Sequence, residues 1–215
     1  GLCTISQHLH QLQRAKRYLE ANGVGVAVGR GRGLLKAGQV FGCQFHPVYE
    51  IQDHVDAFTF LGQSRFHALA VALATGKPTY MLDPYFDEVV DVSSLAEDEA
   101  KKAILSVYKA RDAENFGVII GLKEGQTLLK RALDVKRKLE GLGKKAILLA
   151  LTEVTPERLA PLKGIDAFIQ TACPRISFDG YVFAKPILSL PQAEALIQIL
   201  EGKEPGSFLK RPHWL

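Results

Sequence analysis

Apolar and polar positions recur with two different periods along this chain, and the switches between them outline its elements. Leu9, Leu12, Ala15, Tyr18 and Leu19 fall at three- and four-residue spacing, which predicts a helix over residues 7–21, opened by Ser6 and stopped by Gly23. The apolar run at 24–28 is too short for a helix and reads as a buried strand, as do 55–61 and 79–82. Between the last two, residues 66–75 read as a helix ended by Gly76. A further strand is expected at 89–92. A long helix then follows over 94–115, opened by a capping box at Ser94 and Glu97 and striped by Ala100, Ala103, Ile104, Val107 and Tyr108. Beyond it come strand 118–121, helix 126–140, strand 145–151, a short helix from Thr155, strands 165–170 and 187–189, and a helix from Pro191 to 200. Residues 202–215 read as loop. This succession predicts an α/β protein with parallel sheets joined by right-handed crossovers.

The pattern also repeats in its residues. Val55-Asp56-Ala57-Phe58 returns as Ile165-Asp166-Ala167-Phe168, and an arginine, Arg65 or Arg175, follows ten residues after each opening position. Lys77-Pro78 is echoed by Lys185-Pro186, and Leu19-Glu20 before Gly23 by Leu139-Glu140 before Gly143. We therefore expect two similar domains, 1–92 and 93–215, each a small parallel sheet flanked by helices, with a cleft between them. Asp56 and Asp166 read as caps of backbone turns. In open parallel sheets ligands lie beyond the carboxyl ends of the strands. Gly62-Gln63-Ser64, Cys173 and the cluster Gly29-Arg30-Gly31-Arg32-Gly33 fall at such ends. The glycine cluster lacks the G-x-G-x-x-G spacing and a helix behind it, so it reads as a loop beside a binding cleft and not as a nucleotide cradle.

Composition narrows the chemistry only slightly. The net charge of +4 shows no clustered basic face, so direct nucleic-acid binding is not expected. No apolar run approaches the roughly 18 residues of a membrane span, and the first residues do not form a signal peptide. The absence of an initiator Met suggests a chain that begins inside a larger protein. Three cysteines are too few for a disulfide scaffold and fit a reducing, cytoplasmic setting. Cys43 and Cys173, one in each repeat, would suit zinc or an iron–sulfur cluster if their loops converge; otherwise they are packing residues. Arg65 and Arg175 occupy equivalent turns where a guanidinium could hold a carboxylate. His67 stands at a helix start and is either a ligand-binding or acid–base group or a packed ring. His8 and His10, two apart on one helix, diverge and make a poor metal pair.

Several motifs together resemble the diphthamide synthesis family, the 2-(3-amino-3-carboxypropyl)histidine synthases. They are Gly38-Gln39-Val40-Phe41-Gly42-Cys43, the segment from Gly62-Gln63-Ser64-Arg65-Phe66-His67 to Gly76-Lys77-Pro78, and Thr171-Ala172-Cys173-Pro174-Arg175. Thr4-Ile5-Ser6-Gln7-His8 resembles the family's Thr-Thr-x-Gln-His segment, and Lys210-Arg211-Pro212-His213-Trp214 resembles the ending of archaeal members. The resemblance implies three similar α/β domains that each give one cysteine to a [4Fe–4S] cluster whose fourth iron binds S-adenosylmethionine. It implies reductive cleavage of the cofactor's Cγ–S bond, supplied by an electron donor, and addition of the resulting 3-amino-3-carboxypropyl radical to a histidine of elongation factor 2. A homodimer is implied for archaeal members. Carried over, Cys43 and Cys173 match the ligands of the second and third domains, Gly62, Gln63, Ser64, Arg65 and His67 would lie beside the cofactor, and Arg175 beside the cluster. The first domain and its cysteine have no counterpart here, and Cys3 does not stand in that domain's motif. The alternative is a non-catalytic partner or a small-molecule-binding module without a working cluster.

Overall fold

The expected succession of strands and helices is present, and it closes into two sheets. In chain order the elements are β1 (Leu2–Thr4), α1 (Leu9–Ala21), α2 (His46–Ile51), β2 (Phe58–Leu61), α3 (Arg65–Thr75), β3 (Thr79–Asp83), β4 (Glu88–Asp91) and α4 (Ser93–Ala110). They continue as β5 (Asn115–Gly121), α5 (Leu129–Gly141), β6 (Lys145–Leu151), α6 (Pro156–Leu159), β7 (Ala167–Gln170), α7 (Pro174–Phe178), β8 (Ile187–Leu188), α8 (Leu190–Leu200) and α9 (Gly206–Lys210). The structure is a computed structural model that describes residues 1–210. It divides into two compact units, Gly1–Asp98 and Glu99–Leu215, with the division inside α4.

The first unit orders its strands β1-β2-β3-β4 and the second β6-β5-β7-β8. All pairings are parallel except that of β3 with β4. The purely parallel expectation is corrected there for a simple reason. Only four residues separate β3 from β4, far fewer than a parallel crossover needs.

In the second unit the pleat sends alternate residues to opposite faces. Phe116, Val118 and Ile120 join α5, α8 and the second half of α4 in one core, while Ile119 joins Phe168, Ile165 and Leu159 in another. Both faces are covered, as parallel sheets require. In the first unit, α3 is buried along nearly its whole length, from Phe66 to Thr75. Its run of alanines lets the sheet and its other neighbours approach it closely on several sides.

The repeat has a physical basis. Backbone N–H groups of Phe58 and Phe168 donate to the carbonyls of Pro78 and Pro186, each at 2.8 Å. The Lys77 ammonium donates to the Val55 carbonyl at 2.6 Å, and the Lys185 ammonium reaches the corresponding Ile165 carbonyl. A glycine opposes each phenylalanine. A Cβ on Gly1 would lie 2.4 Å from the Phe58 ring, and one on Gly117 would lie 2.7 Å from the Phe168 ring. Gly23 and Gly143 both have positive φ and close their helices with matching backbone bonds. Asp166 caps a turn, its carboxylate accepting from the Glu114 and Asn115 backbone N–H groups and from the Asn115 side chain. These bonds hold its carboxyl below the usual carboxylate value, the Asn115 side chain contributing most.

Beyond shifts of a few residues at β2, β5, α5 and β7, and the unexpected short helices α2 and α7, three differences alter the picture. Residues 24–28 form no strand: Val24 is exposed, and Leu2 N–H to the Ala27 carbonyl, 2.9 Å, stands where β6 makes a full ladder with β5. Gly25 in that run is a weak strand former, and the glycine cluster that follows turns the chain away. α4 starts at Ser93, one residue before the expected cap, and stops at Ala110, because Asn115 is already the first residue of β5. The expected loop after residue 202 contains α9, whose Phe208 is buried in the core that holds Phe116, α5 and α8. Residues 211–214, which carry the archaeal-like ending, lie outside the described residues.

Candidate functional site

Each unit gathers polar side chains at the carboxyl end of its own sheet. In the first, Thr4 ends β1 and its hydroxyl donates to the Leu61 carbonyl at the end of β2, 2.7 Å. The Thr4 carbonyl accepts from Val40 N–H at 2.8 Å, and Gln39 donates to the Ser6 hydroxyl at 2.8 Å. These bonds tie residues 39–40 to the sheet edge. The chain then turns at once: Phe41 and Gln44 exchange backbone bonds of 3.0 and 3.3 Å, and Cys43 sits exposed in the turn. A Cβ on Gly42 would lie 2.6 Å from the Phe66 ring. The glycine therefore lets the cysteine turn pack against the first turn of α3.

The loop from β2 to α3 lies beside it. Gly62 has φ +146°, a conformation that favours glycine, and its N–H donates to the Leu82 carbonyl at 2.8 Å. Gln63 and Arg65 are exposed, and Arg65 makes no ion pair among the described residues. Ser64 takes the cap position of α3, and its hydroxyl bonds His67 Nδ1 at 2.7 Å. The His67 ring lies stacked on Phe60, with centroids 6.1 Å apart and planes 2° apart. It is thus a positioned ring beside the loop, half-buried.

His8 was not legible as part of this group. It is 1 % exposed, and its Nε2 faces the Gln63 Oε1 at 2.8 Å while its Nδ1 faces the Gln11 Oε1 at 3.2 Å. Its ring meets Tyr85 edge-on at 5.5 Å. His8 closes a short 3-10 turn at Ser6–His8 and His10 lies in the first turn of α1. The bond from His8 to Gln63 joins residues 55 apart, which no periodicity reports.

In the second unit, Thr171 ends β7 with its hydroxyl and its N–H both donating to the Ile119 carbonyl at 3.0 Å. The Gln170 carboxamide oxygen accepts from Ala172 and Cys173 N–H groups at 2.9 and 3.0 Å, and its amide donates to Ser177 at 3.0 Å. This clamp presents the half-buried Cys173 at the cap of α7. Cys173, Arg175, Ala172, Gly121, Gln126 and Thr152 help to line a pocket of about 340 Å³. Arg175 is ion-paired to Asp179 at 2.6 Å, with its guanidinium 5.3 Å over the Phe178 ring.

Cys3 is a different kind of residue. It lies within β1, 1 % exposed, and burial pushes its thiol up to about 12. Its sulfur faces the Thr59 carbonyl of the neighbouring strand at 3.8 Å and not a loop at the sheet's carboxyl end. No cluster of three His, Cys, Asp or Glu side chains occurs among the described residues.

Comparison with known proteins places this geometry in a family. The family of diphthamide synthesis proteins matches residues 1–206. The 2-(3-amino-3-carboxypropyl)histidine synthase of Pyrococcus horikoshii is 33% identical over 211 residues, 97% of this chain and 60% of that protein. Subunit 1 of the human enzyme of that name is 30% identical over 95% of this chain and 46% of its own length. The crystal structure of Dph2 from Pyrococcus horikoshii with a 4Fe–4S cluster superposes with a TM-score of 0.82 at 32% identity, covering 94% of this chain and 58% of that one. The chain thus spans about three fifths of the archaeal relative it matches.

Proposed function

Because the chain belongs to the diphthamide synthesis family, we propose that it forms part of a 3-amino-3-carboxypropyl transferase that acts on a histidine of elongation factor 2. In this reading Cys43 and Cys173 are thiolate ligands of a [4Fe–4S] cluster, and residues 62–67 bind S-adenosylmethionine. The observation that carries it is the contrast among the cysteines. Two stand on loops at the carboxyl ends of their sheets, outside the cores, and the third is walled into a strand. Soft thiolates in that position fit an iron–sulfur cluster. Cys3, enclosed within β1, does not share that placement.

When bound and reduced by an electron donor, such a cluster supplies the electron that cleaves the cofactor's Cγ–S bond. The chain's own residues bind and orient. Gly62 gives the backbone room to approach the ligand, and Ser64 fixes the His67 ring. Arg65 offers an uncommitted guanidinium to a carboxylate. Arg175 lies two residues from Cys173, where its charge offsets that of the thiolate, and Asp179 holds it there. The assembly is a homodimer working in a reducing cytoplasm, with no membrane or nucleic-acid partner; no helix among the described residues is long and apolar enough to cross a membrane.

Anaerobic reconstitution with iron and sulfide tests the ligand set. Cys43→Ser and Cys173→Ser are each expected to lose most of the bound iron, and Cys3→Ser to retain it. Retention of the cluster when both Cys43 and Cys173 are replaced would refute the assignment. The cofactor loop is tested separately with His67→Ala and Arg175→Ala, which should weaken S-adenosylmethionine binding or turnover.

A further inference from the structure

The buried His8 has two ring nitrogens, and both face carboxamide oxygens, of Gln63 and Gln11. A neutral imidazole donates through only one of them. The choice has a consequence at the surface. If Nε2 carries the proton, it fixes the Gln63 oxygen inward and turns the Gln63 NH2 outward. If Nε2 is bare, Gln63 must rotate and present its oxygen instead.

The structure holds the first arrangement, with the Gln63 Oε1 on His8 Nε2 at 2.8 Å. Arg65, two residues on, adds a guanidinium with no ion pair among the described residues, and α3, eleven residues long, starts at this point with its positive end. Both favour a negatively charged ligand, which an outward carboxamide oxygen would repel and an outward NH2 group can bind. The ring is held from other directions: Tyr85 stands edge-on to it, and a Cβ at Gly62 would come 3.3 Å from its Cδ2. Gln11, half-buried on α1, is able to turn its own NH2 toward Nδ1.

We propose that His8 is a positioning residue that donates from Nε2 to the Gln63 oxygen, so that the Gln63 NH2 and the Arg65 guanidinium together receive the carboxylate of an α-amino-acid ligand. This rests on the cofactor loop proposed above and assigns it one group of the cofactor, the carboxylate of its methionine portion. His8 itself touches no ligand. It acts through Gln63.

Two measurements test this in the 215-residue chain, and neither requires a cluster. The first is a long-range nitrogen–proton NMR spectrum of the His8 ring. Protonation at Nε2 is expected; an Nδ1–H ring with bare Nε2 overturns the proposal. The second compares affinity for S-adenosylhomocysteine, which has the carboxylate, with 5′-methylthioadenosine, which lacks it. Gln63→Ala and His8→Phe should each weaken S-adenosylhomocysteine about tenfold, equivalent to one hydrogen bond to a charged group. Both variants should leave 5′-methylthioadenosine unchanged, and the double variant should be no worse than either single one. Equal losses for both ligands would reduce His8 to a structural role and sink the idea. If His8→Phe fails to fold, the exposed Gln63→Ala still decides whether that side chain reads the carboxylate. If the unaltered chain binds neither adenosine compound, the cofactor reading falls, and the ring spectrum alone still settles whether His8 holds Gln63.

Discussion

The loops that follow β2 and β7 come from the same repeat, yet they have diverged in chemistry. Gln63 and Cys173 stand eight residues after Val55 and Ile165 respectively, so they occupy one position of the pattern. In the first unit that position holds a carboxamide fixed by a buried histidine, at the start of an eleven-residue helix. In the second it holds a cysteine whose backbone N–H is bound by the Gln170 oxygen, at the cap of a five-residue helix. The arginine two residues further on makes no ion pair among the described residues in one loop and is paired with Asp179 in the other. The first unit's own exposed cysteine, Cys43, arrives from the segment after β1 and not from the repeated loop. Hydrogen bonds and packing beneath the loops are shared, and the side chains at the rim are not. The scaffold is therefore reused while the rim is free to specialise, since rim residues carry little of the folding energy.

That contrast is open to direct attack. The largest expected effect is in the shared scaffold. Phe58→Ala and Phe168→Ala should each cost about 3–5 kcal/mol in denaturant unfolding, as fully buried rings facing a glycine. A large loss at one site only would show that the two units do not share the same packing logic. Next in size are Lys77→Met and Lys185→Met, which remove ammonium-to-carbonyl bonds and should cost about 1–2 kcal/mol each. Asp179→Ala releases Arg175 from an exposed ion pair and should change stability by under about 0.5 kcal/mol. It would remove the Asp179 ion pair from the second loop's arginine while leaving its contact with the Phe178 ring, which sharpens the comparison in ligand-binding assays.

The smallest effect shows only in acid. The Asp166 carboxyl titrates below its unfolded value because three N–H donors favour the ionised form. Its contribution is present above the unfolded value and is lost as pH falls through the lower folded value. Asp166→Asn should therefore flatten the acid limb of a stability-against-pH curve. An unchanged limb would remove the capping role.

Much of this was legible because it is local. Apolar spacing located α1, α3, α5 and α8, and the recurrence of Asp-Ala-Phe, Lys-Pro and the helix-ending glycines reported a repeated unit before any contact was known. The strand expected at residues 24–28 failed because an apolar run states a propensity and not a neighbour. With β1 only three residues long beside it, the run makes no ladder. β4 was legible as a strand but not in its direction, which the short connection from β3 decides.

The sequence by itself determined the element order, the repeat, the motifs that resemble the family, and which residue types stand near strand ends, because all of these depend on neighbours along the chain. Tertiary structure alone decided that Cys3 is sealed and Cys43 exposed, that Arg175 is engaged, and that His8 reaches Gln63. Burial, ionisation and hydrogen-bond partnership depend on residues brought together from far apart in sequence, and only folding brings them together.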